Sequence, residues 1–139
     1  MPSAAITAQG VELKIGDGAT TEIFTTIAEI VSFSGPGGTA SIIDVTSLSS
    51  TAKEKRVGMM DEGKLTFEMN LNPDNVQHLA LKTDRAARTL RNFKLVLTDT
   101  TPTTLAFAAY VSGMSISGGV DDVVKCSVTL EISGAVTWT

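Results

Sequence analysis

Few side chains in this sequence are of a type that does chemistry, and they are scattered. There is one histidine, His78, and one cysteine, Cys126, so any Ser-His-Asp or Cys-His arrangement would have to run through them. His78 falls on the polar side of a helical pattern. Cys126 falls on the apolar face of a strand pattern, where a thiol is buried and inert. Asp121-Asp122, beside Gly118-Gly119, and Asp61-Glu62 pair carboxylates, but neither brings the further oxygen ligands of a calcium loop. Gly35-Pro36-Gly37-Gly38 lacks the Lys-Ser/Thr and the following helix of a phosphate-binding loop. These residues read as a core thiol, solvated turns and a strand breaker. No catalytic residue, cofactor or metal is expected.

The charges are more informative. Lys82, Arg85, Arg88, Arg91 and Lys94 are five of the eleven basic residues, and only Asp84 opposes them in that stretch. The other six basic residues face fourteen acids, so the rest of the chain stands at −8 while the whole stands at −4. An acidic balance disfavours gripping nucleic acid by phosphate neutralisation. Arg85, Arg88 and Arg91 have two readings: cations that suit a helix C-terminus, or a contact with an acidic surface of another subunit. A second unusual stretch covers residues 47–62. It has no steady period, bunches Lys53, Glu54, Lys55 and Arg56, and then places Val57, Met59 and Met60 in charged surroundings. A loop of that length is either a surface excursion or an arm that orders on a partner.

The elements that must position these residues are mostly strands. At 139 residues and 14.5 kDa the chain suits one domain, with a folded surface of roughly 6,900 Å². Hydrophobic residues at 42% are too many for a disordered chain, and no apolar run reaches the ~18 residues of a membrane span. Residues 1–20 lack a charged-then-apolar signal segment, and one cysteine excludes a disulfide framework within the chain. Aromatics are only 5%, so either the core is thin or neighbouring chains complete it. Period-two alternation marks strands at Val11–Ile15, 63–71, 92–98 and 124–133. Residues 22–34 and 39–46 are strand-like around the Gly35–Gly38 breaker, and Ile30-Val31 and Ile42-Ile43 put apolar side chains on both faces. In 104–117 the apolar face switches from Leu105, Phe107, Ala109 and Val111 to Met114 and Ile116, which predicts a bulge at Gly113. One helix is expected at about 73–89, with Asn72 as N-cap, Pro73 in first place, and a Val76, Leu79, Ala80, Thr83, Ala86, Ala87, Leu90 stripe on the sheet.

The order of these parts is itself informative. Ile43-Asp44-Val45-Thr46-Ser47-Leu48 leads into a charged loop ending Arg56-Val57-Gly58-Met59-Met60-Asp61. There follow the strand Gly63–Asn70, the start signal Asn72-Pro73-Asp74-Asn75, and the strand Arg91–Leu97. Across residues 42–99 this resembles the tail-tube, or major tail, proteins of long-tailed bacteriophages.

The resemblance implies an antiparallel β-sandwich or partial barrel with one flanking helix (about 73–89) and a long loop (about 47–62). The chain would be a single domain, with residues 1–9 as a possible arm and no additional C-terminal domain. Six copies would form a ring, and rings would stack into a hollow tube that passes DNA into the host. Expected partners are the chain itself and tape-measure, tail-terminator and baseplate or tip proteins. DNA would pass only transiently, and no membrane is involved. The location implied is the virion tail, with the host cytoplasm during assembly. The resemblance gives the contacts between subunits and rings to Thr51, Lys53, Glu54, Lys55, Arg56, Val57, Met59 and Met60. It also implies an acidic lumen, for which Glu68 and Glu131 are the candidates. Alternatives are the tube of a type VI secretion-like or other injection device, and a monomeric β-sandwich binding module.

Overall fold

The structure, a computed structural model, describes residues 5–139. It is mainly β, as expected. The strands are β1 (Glu12–Gly16), β2 (Phe24–Thr26), β3 (Ile30–Asp44), β4 (Lys55–Asn70), β5 (Leu90–Val96), β6 (Thr104–Ser117) and β7 (Lys125–Trp138); the helix α1 (Val76–Ala87) lies between β4 and β5. All strands join one antiparallel sheet in the order β2-β1-β5-β6-β7-β4-β3. The sheet curls so that its ends approach across a cleft: Val11, just before β1, lines it together with Ile30, Val31 and Phe33 of β3. This is a partial barrel.

One face of every central strand fills the interior. Leu65, Phe67 and Met69 of β4 lie opposite Leu130, Val128 and Cys126 of β7, and all six are buried. Phe93 and Phe107 are direct partners across β5 and β6, with ring centroids 5.8 Å apart. Each such side chain contributes about 1.5–3 kcal/mol by leaving water. The register shift between Val111 and Gly113 is the bulge that the switch of faces predicts. It turns Met114 back toward the interior, opposite buried Val128.

Two strand expectations need correcting. The Gly35–Gly38 stretch does not end a strand: β3 runs through it, absorbing the disturbance as register shifts against β4. A Cβ at Gly38 would run into the Asp61 carbonyl, so glycine permits close backbone approach here rather than breaking the strand. Residues 22–34 are not one strand, since β2 holds only three residues.

The helix also starts later than expected. Asn75, not Asn72, is the N-cap; its Oδ1 accepts from the Gln77 and His78 N–H groups at 3.0 and 3.2 Å. Its buried face is His78, Leu81 and Asp84, whereas Val76 and Leu79 of the expected stripe are exposed. The polar pair won because each has a distant partner. His78 Nδ1 accepts from Asn72 N–H at 3.1 Å, and its Nε2 lies 2.7 Å from the Ala28 carbonyl. The Asp84 carboxylate takes two hydrogen bonds, 2.8 and 2.9 Å, from the Arg91 guanidinium.

Of the expected arm at 1–9, residues 1–4 lie outside the described residues. Thr98 Oγ1 donates to the Thr7 carbonyl at 2.7 Å, which ties the described part to the barrel.

Candidate assembly interface

The long segment expected as a loop at 47–62 is mostly something else. Residues 55–62 belong to β4 and pair with the distal half of β3: Thr39 faces Asp61, Ala40 faces Met60, Ile42 faces Val57 and Asp44 faces Lys55. The loop proper is 45–54. It is closed by its own hydrogen bonds: Val45 N–H donates to the Glu54 carbonyl, and Glu54 N–H donates to Thr46 Oγ1 at 2.8 Å. At its base Asp44 Oδ1 accepts from Thr46 N–H, and the contact with Thr46 holds the Asp44 carboxyl below its ordinary range. The steady period is missing because of the register shift between Ala40 and Ile42, which breaks the alternation.

This ribbon leaves the barrel. β7 pairs with β4 only over Lys64–Asn70, and no residue from Gly35 to Lys64 is buried. Its two faces carry different side chains. Ile42 and Asp44 share one with Lys55, Val57 and, across the register shift, Met60; Ile43 shares the other with Arg56 and Asp61. Met59 is 91% exposed, and Leu48 at the tip is fully exposed. The apolar residues on both faces of 39–46 are not covered on either side by the described residues: Ile42 and Ile43 are both exposed. The sequence pattern of Ile42 and Ile43 reads as a strand covered on both sides, and the structure leaves both side chains exposed instead. Thr51, Lys53 and Glu54 sit in the tip loop, and Lys55, Arg56, Val57, Met59 and Met60 sit on the ribbon.

A lone two-stranded ribbon is marginal in water, and an exposed apolar one is an association surface. The total surface says the same. The chain exposes 9276 Å², against roughly 6,900 Å² for a globular chain of its mass.

The three arginines do not act together. Arg85 is in the last turn of α1 and Arg88 is its C-cap with φ of 57°; both line a surface depression with Tyr110 and Ser112. Arg91 is not on the helix but in β5. Its guanidinium is bound to buried Asp84, which raises its pKa further. It is a structural cation, joining α1 to the sheet.

The outward face of the barrel is polar. Across β4 and β7, Lys64 lies opposite Glu131, Thr66 opposite Thr129, Glu68 opposite Ser127 and Asn70 opposite Lys125. Glu12, Lys14 and Lys94 extend this face, so it holds three carboxylates and four lysines. The acids behind the −8 of the β part lie elsewhere: Asp17, Glu22, Glu29, Asp99, Asp121 and Asp122 are all in connections. Glu68 and Glu131 thus sit on a charge-balanced face, not an acidic one.

The lone histidine and the lone cysteine both lie inside the fold. His78, expected on a polar surface, is buried with both ring nitrogens engaged. Burial pushes the pKa of the Cys126 thiol upward, which disfavours its nucleophilic thiolate. Among the described residues no cluster of three or more His, Cys, Asp or Glu can hold a metal, and no helix is long and apolar enough to cross a membrane.

Known structures carry the same fold. The chain is similar to the tail of an empty gene transfer agent particle, refined helically with C6 symmetry: TM-score 0.78, 15% identity, covering 97% of this chain and 99% of that one. It is similar to the SPP1 tail tube at TM-score 0.75 and 14% identity, covering 97% and 79%. It is also similar to a chain from the PVC sheath/tube terminator of an extracellular contractile injection system, at TM-score 0.76 and 15% identity, covering 100% and 99%. No curated protein matches by sequence. The family described as "Phage tail tube, TTP, lambda-like" matches residues 4–101, which is 98 of the 139. By that match over most of its length, together with the shared fold, the chain belongs to the lambda-like phage tail tube family.

Proposed function

We propose that six copies of this chain close a ring, and that stacked rings form the hollow tail tube through which DNA passes during ejection into the host. As a tail tube family member the chain is a structural component of the virion tail, not an enzyme. The observation that carries the finer reading is the uncovered ribbon, with apolar residues on both faces and a surface about a third larger than a globular chain needs. Six-fold symmetry is supported by the gene transfer agent tail that shares the fold.

Ring closure would cover the open edges at β2 and β3, which an isolated copy leaves exposed. The polar outward face would then line the channel. Its Thr and Ser rows and balanced charges give passing DNA no cationic patch to hold it. Tape-measure, terminator and baseplate or tip proteins are the partners of this reading. Similar chains come from a contractile system's sheath/tube terminator and from the cap and baseplate of an anti-feeding prophage. Those matches also support a second reading, a tube in a contractile injection device.

Negative-stain microscopy with sedimentation velocity on the purified chain tests the proposal. Rings or tubes with an open channel are expected as concentration rises. A monomer that persists at high concentration would overturn it and favour a solitary binding module.

A further inference from the structure

We propose that the cleft between α1 and the far end of β6 in one copy seats the Trp138 side chain of a second copy placed end to end with it. This rests on the tube reading and assigns a partner to the chain's one tryptophan. The cleft encloses about 340 Å³ and is lined by Leu71, Leu79, Met114 and Ile116, with Lys82 and Arg85 at its rim. It exists because β5 pairs with β6 only as far as Tyr110, so beyond the Gly113 bulge β6 has α1 beside it instead of a strand. Leu79 and Ile116 stay 45% and 64% exposed, which keeps the cleft open to a guest.

Trp138 is the largest apolar side chain left open among the described residues. Val136 still packs against the core, whereas Trp138, two residues on, is 66% exposed. Both halves of the contact stand on one face of the β6–β7 pair. Trp138 lies opposite buried Leu105, and Ile116 lies opposite buried Cys126. Ile116 is eleven residues from Leu105 along β6, roughly 36 Å, so no copy can seat its own tryptophan. A copy displaced by about that length along the strand pair reaches its neighbour's cleft. A donor at one end and an acceptor at the other form a heterologous contact, and under translation such a contact extends without closing.

The chemistry agrees. Tryptophan is among the residues most enriched where a few side chains carry an interface, because its large apolar ring gains much by leaving water. The unbranched Met114 can adapt to the ring. Beside Trp138, Thr139 exchanges backbone hydrogen bonds with Thr104, and in the adjoining turn Thr103 fixes the Asp99 carboxylate. Asp99 forms no ion pair among the described residues, and neither do Lys82 and Arg85. No carboxylate lines the cleft. Seating the indole therefore brings an unpaired carboxylate toward two unpaired cations.

The test reads the tryptophan itself. Emission and acrylamide quenching of the unmodified full-length chain are measured below and above its assembly threshold. Assembly should shift the emission to shorter wavelength and cut the quenching several-fold. Tubes in which Trp138 stays as open to acrylamide as in the single copy would overturn the contact and leave the tube reading intact. Failure of the unmodified chain to assemble would overturn both. The cleft is tested by mixing Thr139→Cys with Leu79→Cys chains, assembling them and adding a short bismaleimide. Cys126 is buried and stays unreactive. A covalent dimer is expected from the mixture and from neither variant alone. A shielded tryptophan without that dimer would overturn the cleft as its seat. Where Leu79→Cys melts abnormally, Ile116→Cys repeats the test. Trp138→Ala is expected to raise the assembly threshold about tenfold or more, and an unchanged threshold would overturn its role as anchor.

Discussion

Replacing Val57, Met59 and Met60 together by serine separates the ribbon's two possible roles, association and folding. In one copy these side chains are 69%, 91% and 67% exposed. Fully burying a side chain of this class contributes about 1.5–3 kcal/mol, so the three together offer roughly 3–7 kcal/mol per copy to a partner. Even the lower figure raises the concentration needed for assembly more than about 100-fold. The single copy has little to lose, because these residues touch no core. Exposed substitutions stay within about 0.5 kcal/mol, which for a chain this size moves the melting temperature by about 3 °C or less. Phe107→Ala is the comparison. It removes half of the stacked Phe93–Phe107 pair from the interior and should cost about 3–5 kcal/mol. Sedimentation velocity across a concentration series, with thermal denaturation of the same samples, reads both quantities. Two results would refute the reasoning: a serine variant that assembles at the unmodified threshold, or one that melts as early as Phe107→Ala. The first would mean that the ribbon buries nothing, the second that it belongs to the core.

Three further outcomes test how the helix and a turn are held. Asp84→Asn weakens the two-bond grip on Arg91 and leaves a buried, half-satisfied group. We expect a loss of about 2–3 kcal/mol in chemical denaturation, discounted because Arg91 is partly exposed. His78→Leu strands the Asn72 N–H and the Ala28 carbonyl, at about 1–3 kcal/mol each, and faster hydrogen exchange at Asn72 should accompany the loss. The Asp99 carboxyl is held below its ordinary value near 3.8 by the Thr103 hydroxyl and N–H. A depressed carboxylate stabilises the fold above its unfolded pKa, and that contribution fades as pH falls through the folded value. Asp99→Asn should therefore lower the melting temperature at neutral pH, and the gap to the unmodified chain should narrow below about pH 3.8. A gap that widens in acid would contradict the assignment.

How much of this was legible in the sequence differs from element to element. The strand around Leu65, Phe67 and Met69, the Gly113 bulge and the buried Cys126 all read directly, because alternation is written residue by residue along the strand. The helix was legible as a helix but not in its facing. Its buried positions include His78 and Asp84, which no apolar stripe reveals, and their partners Ala28 and Arg91 sit on other elements. The ribbon hid behind its own register shift, which made paired strands look like a periodless loop.

By itself, then, the sequence determined the class of fold, most strands, the inert cysteine and an acidic chain with a cationic stretch. Those properties are local or compositional, and no distant residue is needed to set them. The tertiary structure alone decided what each face meets: that Arg91 is a tie rather than a contact, that Glu68 and Glu131 stand among lysines, and that Ile42, Val57 and Met59 stay largely exposed in their own chain. A side chain's type sets the environment it needs. Only the pairing of residues far apart in the chain settles whether that environment is supplied from within or must come from another copy.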